Sequence, residues 1–360
     1  MTIARCFVIA EAGVNHNGSL DLALQLVDAA ASAGADAVKF QTFRADRLVT
    51  AQAAKAAYQV HNTGDDGGQL AMLRALELKA DDHHRLIARC RERGIRFMST
   101  AFDAESLAFL LTLDMPALKI PSGDITAAPL LLQAARARRP LIVSTGMATL
   151  GEIEAALGVI AFGLLDDGSV PPSTEAFQRA ALSASGLQAL REHVRLLHCV
   201  TEYPAPPAQV HLRAMDTMAA AFGLPVGYSD HTLGTAVALA AVARGAAVIE
   251  KHLTLDRALP GPDHRASIEP GEFAAMVEAI RTIEAALGTP FKGPGAAEAA
   301  NRVPARRSLV AARPIRAGQV LVAEDLSAKR PGDGLSPMRL WEHVGRAAAR
   351  DYAADEPFTG

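Results

Sequence analysis

Short apolar runs alternate with longer amphipathic stretches along most of the chain. The runs fall near residues 6–12, 36–41, 95–100, 117–121, 141–145, 194–200, 225–229 and 246–251. Helical segments follow them, with apolar residues recurring at intervals of three and four. The first helical segment has each expected signal. Ser19 is placed to cap it, and Asp21 complements the positive end of its dipole. Leu20, Ala23, Leu24, Val27, Ala30 and Ala31 form one face, and Gly34 ends it. The last segment repeats the scheme, with Pro270 near its start, a stripe from Phe273 to Ile283, and Gly288 after its end. Eight such units predict an α/β protein, a closed (β/α)8 TIM barrel over residues 1–288. The even spacing and the absence of a G-x-G-x-x-G turn disfavour an open doubly wound sheet.

Two connections are long. Residues 43–79 link the second strand to its helix and should hang over the face at the strands' C-terminal ends. Residues 166–193 precede the sixth strand and should lie on the opposite side. Residues 289–305, rich in Gly, Pro and Ala, read as a linker. Beyond them the pattern changes. Apolar runs at 308–310 and 319–322, with turn signals at Ala317-Gly318 and Pro331-Gly332-Asp333-Gly334, predict a small β-rich domain over 306–360. A domain of roughly 55 residues buries a modest fraction of its surface. It is expected to lean on the barrel of its own or another subunit.

Composition narrows the classes. Half of the 360 residues are hydrophobic, the net charge is -3, and no basic run stands out, so nucleic acid is not an expected partner. No apolar stretch is long enough to span a bilayer, and the opening MTIARCFVIAEAG reads as a first strand, not a signal peptide. Cys6, Cys90 and Cys199 are scattered without C-x-x-C spacing, which suits a reduced cytoplasm.

The chemistry-bearing residues gather at strand ends, where parallel α/β folds place their sites. His231 and His252 follow the last two strands, each beside an acid, Asp230 and Glu250. Either one alone reads as a satisfied polar residue next to the core. Two after consecutive strands point to half of a metal site. Lys39 and Lys119, interleaved with Thr100, Ser122, Ser144 and Ser229, supply ammonium and hydroxyl donors suited to phosphate or carboxylate. Glu11 and Asp124 could handle protons or sugar hydroxyls. A ring of salt-bridged strand-end charges without catalytic purpose is the plainer alternative. Cys199, with no base nearby, reads as a buried thiol, Met72 and Met147 as packing at the mouth, and His83-His84 as solvent-facing.

Ten segments then appear in order: AEAGVNHNG, VKFQTF, STAFD, KIPSGD, STGMAT, LLHCVTEYPAP, GYSDHT, VIEKHLTLD, GPDHRAS and KRPGDG. In them the chain resembles the sialic acid synthases, the N-acetylneuraminate synthases and their relatives for legionaminic and pseudaminic acids. The resemblance runs from about Phe7 to the end, and the C-terminal domain resembles the antifreeze-like (β-clip) domain of that family. It implies a transferase that joins phosphoenolpyruvate to an N-acetylated amino sugar and releases phosphate. It further implies Mn2+ or Mg2+ on His231 and His252. Lys39, Thr100, Lys119, Ser122, Ser144, Thr201 and Ser229 fall where the family grips phosphoenolpyruvate. Glu11, Gln41, Asn62, Asp124, Tyr203 and Asp263 fall where it handles the sugar and the attacking water. Arg330 matches an arginine that reaches into a partner's barrel, which implies a domain-swapped homodimer. TEYPAP with AEAGVNHNG and GYSDHT looks nearest to bacterial legionaminate synthases, although some neuraminate synthases share TEYP, and pseudaminate synthases look further away. Residues 166–193 look some twenty residues longer than the family pattern and are expected to affect packing. Two other classes compete: a metal-dependent barrel hydrolase built on the two histidines, and a non-catalytic binding protein.

Overall fold

The computed structural model describes residues 5–64 and 67–360; residues 1–4, the start of the stretch read as leading into the first strand, lie outside the described residues. The chain divides into two compact units, Met1–Gly288 and Thr289–Gly360.

In the first unit β1 (Phe7–Gly13), β2 (Ala37–Thr42), β3 (Arg96–Ala101), β4 (Leu118–Ile120), β5 (Leu141–Ser144), β6 (Val194–Cys199), β7 (Val226–Asp230) and β8 (Val248–His252) pair in parallel order. β8 closes on β1, so the sheet is a complete barrel. The predicted strand positions are met within a residue or two at each end. The first helix, Leu20–Ser32, is capped by the Ser19 hydroxyl, which accepts from Leu22 N at 3.4 Å. Gly34 leaves the helix at φ +79°, a backbone conformation that costs a glycine little.

Alternation along the strands builds the interior in layers. Ile9, Ala37, Met98, Ala117, Ile142, Leu197 and Val248 pack together as an apolar plug. β7 contributes Gly227, where a Cβ would come within 2.3 Å of the Val248 carbonyl and 2.7 Å of Leu197. The intervening residues, such as Val8, Val38 and Phe40, face outward into the main core with the helices.

Residues 166–193 contain two helices, Thr174–Leu182 and Ala184–His193, capped by Ser173 and Ser183. They pack on the Leu150–Leu165 helix, whose residues 156–164 are all buried. Phe162 and Phe177 meet edge to face at 5.2 Å. This segment therefore covers a helix that is apolar on nearly every side.

The second unit pairs β9 (Ser308–Ala311) antiparallel with β10 (Leu326–Lys329) around its own core of Leu309, Ile315, Leu321, Tyr352 and Phe358. The run at 319–322 forms a single bridge, Val320 to Ala347, not a strand, and Val320 is exposed while Leu321 is buried. Two one-turn helices, Ala296–Ala299 and Arg302–Ala305, occupy the stretch read as a linker.

Candidate active site

The residue two positions beyond each plug residue points into the barrel again, one layer nearer the strands' C-terminal ends. Those positions are Glu11, Lys39, Thr100, Lys119, Ser144, Cys199, Ser229 and Glu250. All eight line one cavity of about 450 Å³. The plug is its floor.

The floor ring is tightly wired. Lys39 Nζ lies 2.5 Å from Glu11 and 3.6 Å from Glu250, and donates to Thr100 Oγ1 at 3.1 Å. Lys119 Nζ donates to Ser144 Oγ at 2.8 Å and lies 3.5 Å from Glu250. Ser229 Oγ donates to Glu250 at 3.0 Å. Four buried ionisable groups, two lysines and two carboxyls, thus share one ring of hydrogen bonds and ion pairs. Burial raises the Glu11 carboxyl to about 7, against the pull of Lys39. Burial also opposes ionisation of Glu250, but the two ammonium groups outweigh it and hold that carboxyl near 2. One carboxyl is therefore poised to exchange a proton near neutrality and the other stays charged.

Above the ring, His231 and His252 approach with ring centroids 5.5 Å apart. Tyr203 stacks on His231 at 4.2 Å. His231 Nδ1 donates to the Val200 carbonyl at 2.6 Å, which leaves the Nε2 lone pair for a ligand. His252 Nδ1 is buried with no hydrogen-bond partner. Burial lowers both histidines, His231 to about 4, so both are neutral and able to coordinate. Among the described residues no cluster of three imidazole, thiolate or carboxylate donors occurs. The pair fits a divalent ion completed by water or substrate oxygens.

Besides Glu11 Oε2 and Glu250 Oε2, which face the lysines, the buried Thr201 Oγ1 and Asp124 Oδ2 at the cavity have no hydrogen-bond partner. A buried polar atom left unsatisfied costs about 1–3 kcal/mol, so such atoms mark where a ligand would bond. Gly146 makes the Thr201 position possible, because a Cβ there would lie 2.2 Å from the Thr201 hydroxyl and 2.8 Å from that of Ser122. Gly146 N donates to Ser122 Oγ at 2.9 Å. Burial alone raises Asp124 and Asp263 to about 6.

The structure brings together Glu11, Lys39, Gln41, Thr100, Lys119, Ser122, Asp124, Ser144, Thr201, Tyr203, Ser229, His231, His252 and Asp263 around this cavity. Gln41 donates to Glu11 at 3.3 Å. Asn62 lies just behind the wall, where its amide donates to the Pro262 carbonyl at 2.7 Å and ties the loop that carries Asp263. Arg330 is exposed in the second unit. Its loop is held by Ser308, whose hydroxyl donates to the Pro331 carbonyl at 2.7 Å and accepts from Gly334 N at 2.8 Å.

Other readings change. His83 does not face solvent: it is fully buried, joined to Thr42 Oγ1 at 2.7 Å and to the Lys79 carbonyl at 2.8 Å, because Thr42 and Ser99 point outward and need a polar partner there. Met147 is 71% exposed and packs little. Cys199 is the buried thiol expected, 3.1 Å from Ser122, but it also lines the cavity. Cys199 and Glu250 received no site role from the sequence. Counting two residues on from the plug would have found both.

Residues 26–292 match the NeuB family and residues 306–360 match the SAF domain. The chain is 45% identical to the N,N'-diacetyllegionaminic acid synthase of Campylobacter jejuni, over 98% of both chains. It is 45% identical to that of Legionella pneumophila, over 97% of this chain and 92% of the other. Identity to a pseudaminic acid synthase of Campylobacter jejuni is 32%, over 97% of this chain and 94% of the other. Among solved structures, an N-acetylneuraminic acid synthetase from Leptospira borgpetersenii superposes with a TM-score of 0.66 at 33% identity, over 82% of this chain and 90% of the other.

Proposed function

The chain belongs to the NeuB family, and on that premise we propose that it condenses phosphoenolpyruvate with 2,4-diacetamido-2,4,6-trideoxy-mannose to give N,N'-diacetyllegionaminate and phosphate. The methylene carbon of phosphoenolpyruvate bonds to the aldehyde carbon of the sugar. Water then adds to the former enol carbon, and phosphate leaves by C–O cleavage. The observation that carries the reading is the floor ring: two buried lysines among hydroxyls, directly below two neutral imidazoles. A barrel hydrolase has no use for that cation pair, and a binding protein has no use for a proton-active carboxyl beside it.

Lys39 and Lys119 receive the anionic groups of phosphoenolpyruvate, with Thr100, Ser122, Ser144, Thr201 and Ser229 donating hydrogen bonds. Glu11 is the proton source for the developing sugar hydroxyl, since burial raises its carboxyl well above the usual carboxylate range. Asp124, raised to about 6, is mostly ionised at pH 7 and takes the proton of the attacking water. Gln41, Asn62, Tyr203 and Asp263 orient the sugar or the loops that hold it. His231 and His252 would hold Mn2+ or Mg2+, which when bound polarises the aldehyde oxygen.

The reading extends to assembly and place. Arg330, on a loop held from both sides by Ser308, reaches the acceptor in the partner's barrel of a domain-swapped homodimer. All three cysteines are buried and unpaired, as suits the cytoplasm. No helix among the described residues is long and apolar enough to cross a membrane.

The test is release of inorganic phosphate from phosphoenolpyruvate. It should require both a divalent ion and the amino sugar, vanish on chelation, and be lost in His231→Ala and His252→Ala proteins that still fold. Phosphate release that ignores the sugar would refute the condensation.

A further inference from the structure

The cavity has two walls of different chemistry. The strand-end wall carries its charges: Glu11, Lys39, Lys119 and Glu250, with Asp124 and Asp263 at its rim. The arm of residues 43–76 forms the other. Among the described residues, its contribution to the cavity is entirely uncharged, with apolar Phe43, Leu48, Val49 and Met72 beside neutral Tyr58 and Gln59. Two of the arm's charged residues, Arg44 and Arg47, pair with carboxylates elsewhere. Arg44 lies 3.8 Å from Glu77 and Arg47 lies 3.0 Å from Glu105, and none of these four lines the cavity. The arm also has its own apolar cluster, distinct from the barrel core, in which Phe43 packs with Leu73 and Leu76. Its inner surface is thus a preformed wall rather than a stray patch.

The proposal rests on the condensation reading above. In that reaction the aldehyde carbon of the acceptor must sit over the lysine ring and the imidazoles. We propose that the opposite end of the open-chain sugar extends toward the arm and that this wall determines acceptor specificity: it seats a methyl terminus, disfavours a hydroxymethyl, and excludes a phosphate ester. A methyl gains from apolar contact, whereas an apolar pocket discriminates against an added hydroxyl by about a hundredfold at most. A phosphate dianion would be desolvated there with no cation among the described lining residues of the arm to pair with, which is a much larger penalty.

The experiment uses the full-length protein with Mn2+ and phosphate release as readout. Three acceptors are compared: 2,4-diacetamido-2,4,6-trideoxy-mannose, N-acetylmannosamine and N-acetylmannosamine 6-phosphate. The expected kcat/KM falls about tenfold to a hundredfold from the first to the second, and further to the third. Met72→Lys and Val49→Lys, at two partly exposed positions, should each lower kcat/KM for the methyl acceptor and raise it for the phosphate ester. The KM for phosphoenolpyruvate should stay unchanged, which also reports that each variant folds. Release with all three acceptors at similar kcat/KM, or ratios that neither lysine moves, would overturn the specificity wall and leave the condensation standing. No release with any acceptor would remove both.

Discussion

At the scale of single residues, the site holds groups whose ionisation costs stability. Asp263 is buried, and burial raises its carboxyl from 3.8 to about 6. The folded chain therefore holds that proton more tightly than the unfolded chain. The penalty is absent below pH 4, grows as pH rises through this window, and is complete above about 6. Asp263→Asn should unfold at a higher temperature than the parent at pH 8, with the difference shrinking as pH falls toward 4, while activity is lost. A gap that widens on acidification would contradict the assignment. Residue chemistry was also where the sequence was most legible, because Lys, His and hydroxyls at strand ends announce themselves. His83 was misread for a physical reason: its side-chain partner Thr42, itself bonded to Ser99, lies in another element, and a helix-start histidine gives no local sign of burial.

At the scale of elements, strand positions were readable because each is a short apolar run fenced by helix caps. The helices within 166–193 were less so, since their apolar residues serve a neighbouring helix rather than the barrel. The run at 319–322 has strand-like composition, but Val320 and Val322 face solvent and no partner strand is available beyond one bridge. The loop around Arg330 offers a test at this scale. Ser308 makes two hydrogen bonds that span it, each worth about 0.5–1.5 kcal/mol. Ser308→Ala should raise the KM for the sugar by roughly tenfold with the KM for phosphoenolpyruvate unchanged. A change confined to phosphoenolpyruvate would argue that the loop serves another purpose.

At the scale of the whole molecule, the two units were foreseeable from the shift in pattern near residue 289, and the boundary falls at Gly288. Partnership between chains is carried by resemblance alone, and complementation measures it. If Arg330 serves a neighbour's barrel, a heterodimer of His231→Ala and Arg330→Ala chains contains one site with both defects and one with neither. Mixing the two inactive proteins after co-refolding should then restore up to about half of the sites per heterodimer, by two-fold symmetry. Should each arginine serve its own barrel, every site keeps one defect and mixing restores nothing.

The apolar plug has a kinetic consequence. Because side chains and the close approach at Gly227 seal the barrel below the lysine ring, reactants can enter and leave from one end alone. On the proposed reading, the lysine ring that takes the anion lies next to the plug and the sugar seats nearer the mouth. Once a sugar is seated it blocks the passage to the lysines, so phosphoenolpyruvate must arrive first. Turnover should follow a compulsory sequence, with a non-reactive sugar analogue acting as an uncompetitive inhibitor toward phosphoenolpyruvate. Competitive inhibition by the analogue toward phosphoenolpyruvate would mean that the sugar seats in the empty barrel and that the order is not compulsory.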